Sequence, residues 1–257
     1  MGRVALIGAG PGADDLITVR GLKLLMAADC VLHDALVSPS LLSHARPDAE
    51  IIAVGKRCGK LSTAQQFINK QLVDAARKHG LVVRLKGGDP MVFGRADEEI
   101  TALQNAGIEV DVVPGVTAAL AAASSLKTSL TLRGVARSLT ITTPSVGTGE
   151  TPSTDLYLGT EQDTVAVYMG LRQAAPWAAR LLEAGRNAHT PVVICESVST
   201  PQERFTALTL GELPSFGTDQ VGEGPCLILI GEALRKVANR ATNQTGLADT
   251  GPIAANL

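Results

Sequence analysis

The sequence predicts an α/β protein of two lobes, a parallel-sheet N-terminal lobe and a mixed-sheet C-terminal lobe. Three observations carry this. Short β-branched runs alternate with helical patterns through the first half, the signature of a parallel sheet covered by helices. The pair Pro114-Gly115 then punctuates the chain ahead of a stretch of small residues. Beyond Arg137 strand patterns crowd closer together, which suits a mixed or antiparallel sheet. The domain boundaries that follow are 1–114 for the first lobe and 115–240 for the second, with 241–257 as a poorly ordered tail of little apolar periodicity.

In chain order, strands are predicted near Arg3–Gly8, Cys30–His33, Ile51–Val54, Leu81–Leu85 and Glu109–Val112. Helices are predicted near Thr18–Ala28, Thr63–His79 and Arg95–Asn105, and the small-residue segment Val116–Ser124 forms a bridging helix. In the second half, strands near Thr164–Tyr168 and Pro191–Glu196 flank a helix near Arg172–Ala184. Strands near Arg204–Leu210 and Cys226–Ile230 follow with a short connection between them. Val146–Thr154 reads as a flexible loop by composition.

Composition narrows the function classes. Aromatics are only 3% of the chain, which argues against nucleic-acid binding by base stacking. Net charge is −2 with no block of five or more like charges, so neither a polyanion nor a membrane surface is signalled, and any anionic ligand needs a local cluster of Arg and Lys. The opening MGRVALIGAG is too short an apolar run for a signal peptide, and no run approaches membrane-spanning length. The four cysteines share no CxxC spacing and the four histidines are scattered. A cytoplasmic enzyme with no metal is expected.

Ligands of open parallel sheets sit outside the carboxyl ends of the strands. Four such ends carry unusual residues: Gly8-Ala9-Gly10-Pro11-Gly12, Asp34, Gly55-Lys56-Arg57 and Lys86-Gly87-Gly88-Asp89-Pro90. GAGPGA satisfies the dinucleotide fingerprint, so an NAD- or FAD-dependent oxidoreductase is one alternative. Against it, Asp14 and Asp15 intervene before the helix and would repel a pyrophosphate, and Pro11 removes a backbone donor. A tight strand-to-loop turn explains the glycines equally well.

The stretch Val82–Arg95 is more specific, since Gly87 and Gly88 admit close backbone approach and Pro90 pins the chain after Asp89. GAGPG, VGKR, RLKGGDP, VFGR, VPGVTAA and YMG, in this order and spacing, resemble the uroporphyrinogen-III C-methyltransferases of the tetrapyrrole methylase family. The resemblance runs from about residue 3 to 237, and because the chain starts directly at the methylase it looks like the stand-alone form. It implies the two-lobed tetrapyrrole methylase fold with the cofactor in a cleft between lobes, a homodimer, and two successive methylations of uroporphyrinogen III from S-adenosylmethionine, giving precorrin-2 and S-adenosylhomocysteine. A later corrinoid-pathway methylase is the alternative within the family.

By motif match, the resemblance implies a cofactor site of Pro11, Gly87, Gly88, Asp89, Val92, Thr117, Ala118 and Met169. Thr117 and Ala118 could also simply begin a helix, and Met169 could fill core. Asp34 and Lys56 match the family's proton acceptor and donor, with a turn cap and an anion anchor as the bland alternatives. Arg57, Arg84, Arg95 and Arg133 are candidates to grip the carboxylates of a tetrapyrrole, though Arg84, lying mid-strand, could instead pair with Glu98 or Glu99. Four departures from the family pattern are present, three of them expected to border the substrate: Ala96-Asp97 in place of two glycines, Leu132 in place of histidine, Thr143-Pro144 in place of Gly-His, and Val198 in place of glycine.

Overall fold

A computed structural model describes residues 2–54, 61–144, 160 and 162–244. The chain divides into two compact units, Met1–Ala118 and Ala119–Leu257. Among the described residues no helix is long and apolar enough to cross a membrane.

The first unit is a five-stranded, wholly parallel sheet built from β1 (Arg3–Gly8), β2 (Cys30–His33), β3 (Glu50–Ala53), β4 (Leu81–Lys86) and β5 (Glu109–Val113) in the order β3-β2-β4-β1-β5. The central strands are near-continuous apolar runs because both faces are covered. On one face Val4, Leu6, Cys30, Leu32 and Val82 meet helices α3 (Leu61–Lys78) and α4 (Ala96–Asn105) through Ile68, Leu72 and Leu103. On the other, Ala5, Ile7, Val31, Val83 and Leu85 meet Leu25 of α1 (Val19–Ala27) and Leu41 of the short α2 (Pro39–Leu42). Alternate residues of each strand point to opposite faces, so the two cores are interleaved along β1 and β4.

The central neighbours β4 and β1 send their outgoing chains in opposite directions, α4 over one face toward β5 and α1 over the other toward β2. That is the topological switch of an open α/β sheet, and it sets the loops after β1 and β4 side by side.

The second unit is a mixed sheet of β6 (Ser138–Thr142), β7 (Asp163–Tyr168), β8 (Pro191–Glu196), β9 (Arg204–Thr209) and β10 (Cys226–Ile230), in the order β6-β7-β10-β8-β9. Only β6 and β7 run parallel; the other neighbours are antiparallel. Val165, Val167, Val192, Ile194, Ile228 and Ile230 pack against Trp177, Ala178 and Leu181 of α6 (Ala174–Glu183). The short connection from β9 to β10 does not join neighbours, since the more apolar β10 is inserted at the sheet centre between β7 and β8.

Helix boundaries differ most from expectation in three places. The bridging segment is helical only over α5 (Ala118–Ser125), where the alanines begin. The helix expected from Arg172 opens as a 3-10 turn, Leu171–Gln173, and becomes α6 ahead of Pro176, whose missing N–H costs nothing in a first turn. α7 (Arg235–Gln244) continues into the stretch read from the sequence as tail. The expected loop at Val146–Thr154 and residues 245–257 of the expected tail lie outside the described residues.

Candidate active site

The carboxyl ends of β1, β4 and β5 converge within the first unit. Ala9 N–H donates to the Lys86 carbonyl at 2.7 Å, and Gly10 and Gly88 exchange backbone hydrogen bonds at 3.2 and 2.7 Å. Both glycines hold positive φ, +80° and +68°, which a side chain would strain. The Asp89 carboxylate ties in the third strand end, accepting from Gly115 N–H at 2.9 Å and from Met91 N–H at 2.8 Å. A Cβ placed on Gly8 would lie 2.5 Å from the Gly115 Cα and 2.7 Å from the Gly88 carbonyl oxygen, so backbone meets backbone here with no room for a side chain. In contrast, a Cβ on Gly88 would meet nothing within 4 Å, so one side of that loop is open to a ligand.

The structure therefore brings the Gly10-Pro11 turn together with Gly87, Gly88 and Asp89, and Val92 follows in the same loop through its N–H bond to the Asp89 carbonyl. Thr117 and Ala118 come two and three residues after Gly115; Thr117 is buried and Ala118 opens α5. Met169 belongs to the second unit, just beyond β7. It is not core filling: its side chain is largely exposed and its φ is +52°, an unusual backbone for methionine and a kind of strain that concentrates at functional sites.

The glycine loop after β1 does not run into α1. A 3-10 turn carrying Asp14 and Asp15 intervenes, Ser38 Oγ donates to Asp14 at 2.5 Å, and α1 starts afresh from Thr18, whose hydroxyl caps Gly21 N–H at 3.1 Å. α1 therefore does not open from the glycine loop as a pyrophosphate-binding helix would.

Asp34 stands at the end of β2, its N–H bonded to the Leu85 carbonyl of the adjacent β4 at 3.2 Å. Its Oδ1 accepts from Nη2 of Arg84 at 2.5 Å. Arg84 is only 2% exposed and does not face an external ligand: Nε reaches Glu99 Oε1 at 3.1 Å and Nη1 the Leu85 carbonyl at 3.2 Å. Of the two partnerships open to Arg84, the internal one with Glu99 is present, because residue 84 points to the sheet face that α4 covers. Lys86, two residues on and on the same face, donates to the same Glu99 oxygen at 3.0 Å, and Gln65 of α3 adds a third donor at 3.3 Å. Burial and then the Arg84 charge push the Lys86 amine below its ordinary value, against the opposing pull of Glu99 and Asp34.

Arg95 caps the start of α4 with φ +54°, and its guanidinium pairs with Glu98 at 2.7 and 2.9 Å on the surface. Ala96, where the family pattern has glycine, is buried against the α3/α4 core, and Asp97 adds to the acidic first turn, favourable at a helix N-terminus. In the second unit Arg133 is exposed beside Leu132, which exchanges backbone hydrogen bonds with Ala136 at 2.9 and 2.8 Å across a tight turn. Lys56 and Arg57 lie outside the described residues.

From the sequence Lys86 stood out only as part of a strand end, without its burial or its Glu99 partner, and the Gly8–Gly115 contact was not anticipated. Two cations alternating in an otherwise apolar strand, LVVRLK, were the available signal, because buried charge demands a partner. The structure also gathers one donor atom each from Cys30, Glu50 and His79 within 4.8 Å of one another at the opposite ends of the strands. Burial, then Glu50, pushes the Cys30 thiol up to about 11, so it sits there as a neutral thiol at pH 7.

Residues 3–214 match the family model for tetrapyrrole (corrin/porphyrin) methylases. A uroporphyrin-III C-methyltransferase from Thermus thermophilus, solved with S-adenyl homocysteine, is 39% identical with a TM-score of 0.78, covering 91% of this chain and 100% of that one. A cobalt precorrin-4 methyltransferase of cobalamin biosynthesis is 30% identical with a TM-score of 0.78, over 90% and 95% of the two chains. The siroheme synthase of Azotobacter vinelandii is 43% identical over 91% of this chain and 51% of its own. The chain thus spans about half the length of the curated relatives it matches.

Proposed function

The chain belongs to the tetrapyrrole methylase family, and from that premise we propose that it transfers two methyl groups in succession from S-adenosylmethionine to uroporphyrinogen III, yielding precorrin-2. The observation that carries this reading is the backbone cradle formed by the Gly10–Gly88 pair and the Asp89–Gly115 tie, open on the Gly88 side. Its fit to a nucleoside-bearing donor is that of a loop stripped of side chains, where backbone groups approach a ligand closely. Support also comes from the Thermus thermophilus enzyme, similar along nearly its whole length and solved with the demethylated donor.

S-adenosylmethionine supplies an electrophilic methyl on a sulfonium. In this reading Pro11, Gly87, Gly88, Asp89, Val92, Thr117, Ala118 and Met169 bind the donor. The substrate carbon must be held in line with the methyl–sulfur bond, a positioning effect that can supply several kcal/mol. Asp34 accepts the proton released from the macrocycle after attack: its Oδ1 is held by Arg84, and Oδ2 has no partner among the described residues. Lys56 is the proton donor by motif match. Arg57, Arg95 and Arg133 grip substrate carboxylates, while Arg84 is excused from that role by its burial. The protein acts in the cytoplasm as a homodimer.

Incubation with S-adenosylmethionine and uroporphyrinogen III, followed by mass spectrometry, tests the proposal. The expected product carries two added methyl groups. Transfer only to a later corrinoid would move the chain to another branch of the family, and no transfer to any tetrapyrrole would refute the proposal. Light scattering giving a monomer mass would remove the homodimer.

A further inference from the structure

We infer that Arg84, anchored by Glu99, is the positioning residue of Asp34, holding one carboxylate oxygen so that the other faces the substrate. The inference deepens the function proposed above and rests on Asp34 being the proton acceptor.

The guanidinium is fixed in three directions at once: Nη2 on Asp34 Oδ1, Nε on Glu99 Oε1 and Nη1 on the Leu85 carbonyl. Such a planar fork cannot turn without breaking two of these bonds. Asp34, in contrast, makes no other side-chain bond among the described residues, and its side chain is 32% exposed. The carboxylate is therefore clamped from the interior and open toward the strand ends. Glu99 is wholly buried on α4, with Lys86 and Gln65 completing its Oε1 contacts. Arg84, Lys86, Asp34 and Glu99 carry two positive and two negative charges, so the cluster is neutral as a unit.

Stability alone does not account for this arrangement. A buried ion-pair cluster is often no better for stability than apolar side chains of the same volume, and here it interrupts an apolar strand. The chain from α4 through β4 to the end of β2 does one thing that apolar packing cannot: it sets the position of a carboxylate at the rim.

The test uses the full chain in the two-methyl transfer assay. Arg84→Gln is expected to lower kcat about 10- to 100-fold, leaving the Michaelis constant for uroporphyrinogen III and the affinity for S-adenosylhomocysteine within about threefold of the parent. Arg84→Lys keeps the charge and leaves the buried Lys86–Glu99 pair intact but lacks the three-way fork, so it should recover the melting temperature but not kcat. Arg84→Gln added to Asp34→Asn should be no slower than Asp34→Asn alone, because both act on one carboxylate. The inference is overturned if kcat recovers along with the melting temperature in Arg84→Lys, or if the losses of Arg84→Gln and Asp34→Asn multiply. Parental turnover in Asp34→Asn removes the function assigned to Asp34, and this inference with it. Loss in Asp34→Asn with parental turnover in Arg84→Gln removes the inference alone.

Discussion

Replacing Gly8 by alanine sets two effects of opposite sign against each other. Gly8 has no positive φ, so alanine suits its backbone, and the restriction of the unfolded chain should stabilise by about 0.4–1 kcal/mol. The native state opposes this. The new methyl would stand 2.5 Å from the Gly115 Cα, 2.6 Å from its nitrogen and 2.7 Å from the Gly88 carbonyl oxygen. All three are backbone atoms, so no side chain can swing aside, and the strand ends must part by up to about 0.9 Å to reach ordinary contact. Overpacking of this kind costs about 1–3 kcal/mol. The displacement also loads the Gly10–Gly88 bond already at 3.2 Å and the Asp89–Gly115 bond at 2.9 Å. Loss of the latter, a bond to a charged group, adds about 1.5–3 kcal/mol. The steric effect wins, with a net destabilisation of about 3 kcal/mol and a fall in melting temperature of about 6–12 °C for a chain of this size. Affinity for S-adenosylhomocysteine should fall at least about tenfold, since about 1.4 kcal/mol of cradle distortion suffices. Calorimetry for both quantities is the assay, with Gly222→Ala as control because nothing lies within 3.7 Å of its methyl. A Gly8→Ala protein that melts at or above the parent temperature and binds the ligand equally well would refute the reasoning.

Three further outcomes are expected. Burial raises the Glu196 carboxyl, but the Arg204 guanidinium and Gly222 N–H outweigh it and hold the group below its ordinary value of 4.5. The native state then binds fewer protons than the unfolded one, so this stabilisation is full above 4.5 and is lost as pH falls through the native value. Arg204→Gln should accordingly melt below the parent at neutral pH, with the gap closing on acidification; a gap independent of pH would contradict it. Cys30 and Cys195 are fully buried with thiols pushed up by burial, so alkylation mapped by mass spectrometry should miss both until the protein unfolds. Leu132 is 36% exposed rather than core, so Leu132→His should leave the melting temperature within about 1 °C; a lowered Michaelis constant for uroporphyrinogen III would place it at the substrate, and an unchanged one would not.

How much was legible from the residues depended on the element. β1, β2, β8 and β10 occupy the spans their apolar runs predict, because a strand covered on both faces leaves its whole length in the hydrophobic pattern. β6 is a weaker signal: an edge strand of alternating Ser or Thr and apolar residues, none fully buried. α7 is polar along most of its length, so periodicity did not announce that it persists to Gln244. Among site residues, the glycines and Asp89 stood out because they break the strand pattern at its end, where chemistry in such sheets resides.

The sequence by itself determined the two sheets, the strand ends that carry unusual residues and the family, since these depend on local composition and ordered motifs. Only the tertiary structure decided which ends touch. The order β3-β2-β4-β1-β5 puts β4 between β2 and β1, and so brings Asp34 to Arg84 and Gly10 to Gly88. The choice of Glu99 over Glu98 for Arg84 followed from helix phase: Glu99 faces the sheet while Glu98, one residue earlier, turns to the surface and takes Arg95. Asp34 and Arg84 lie 50 residues apart in sequence and Arg84 and Glu99 15, and strand order and helix phase, which a local pattern does not encode, are what brought them within hydrogen-bond reach.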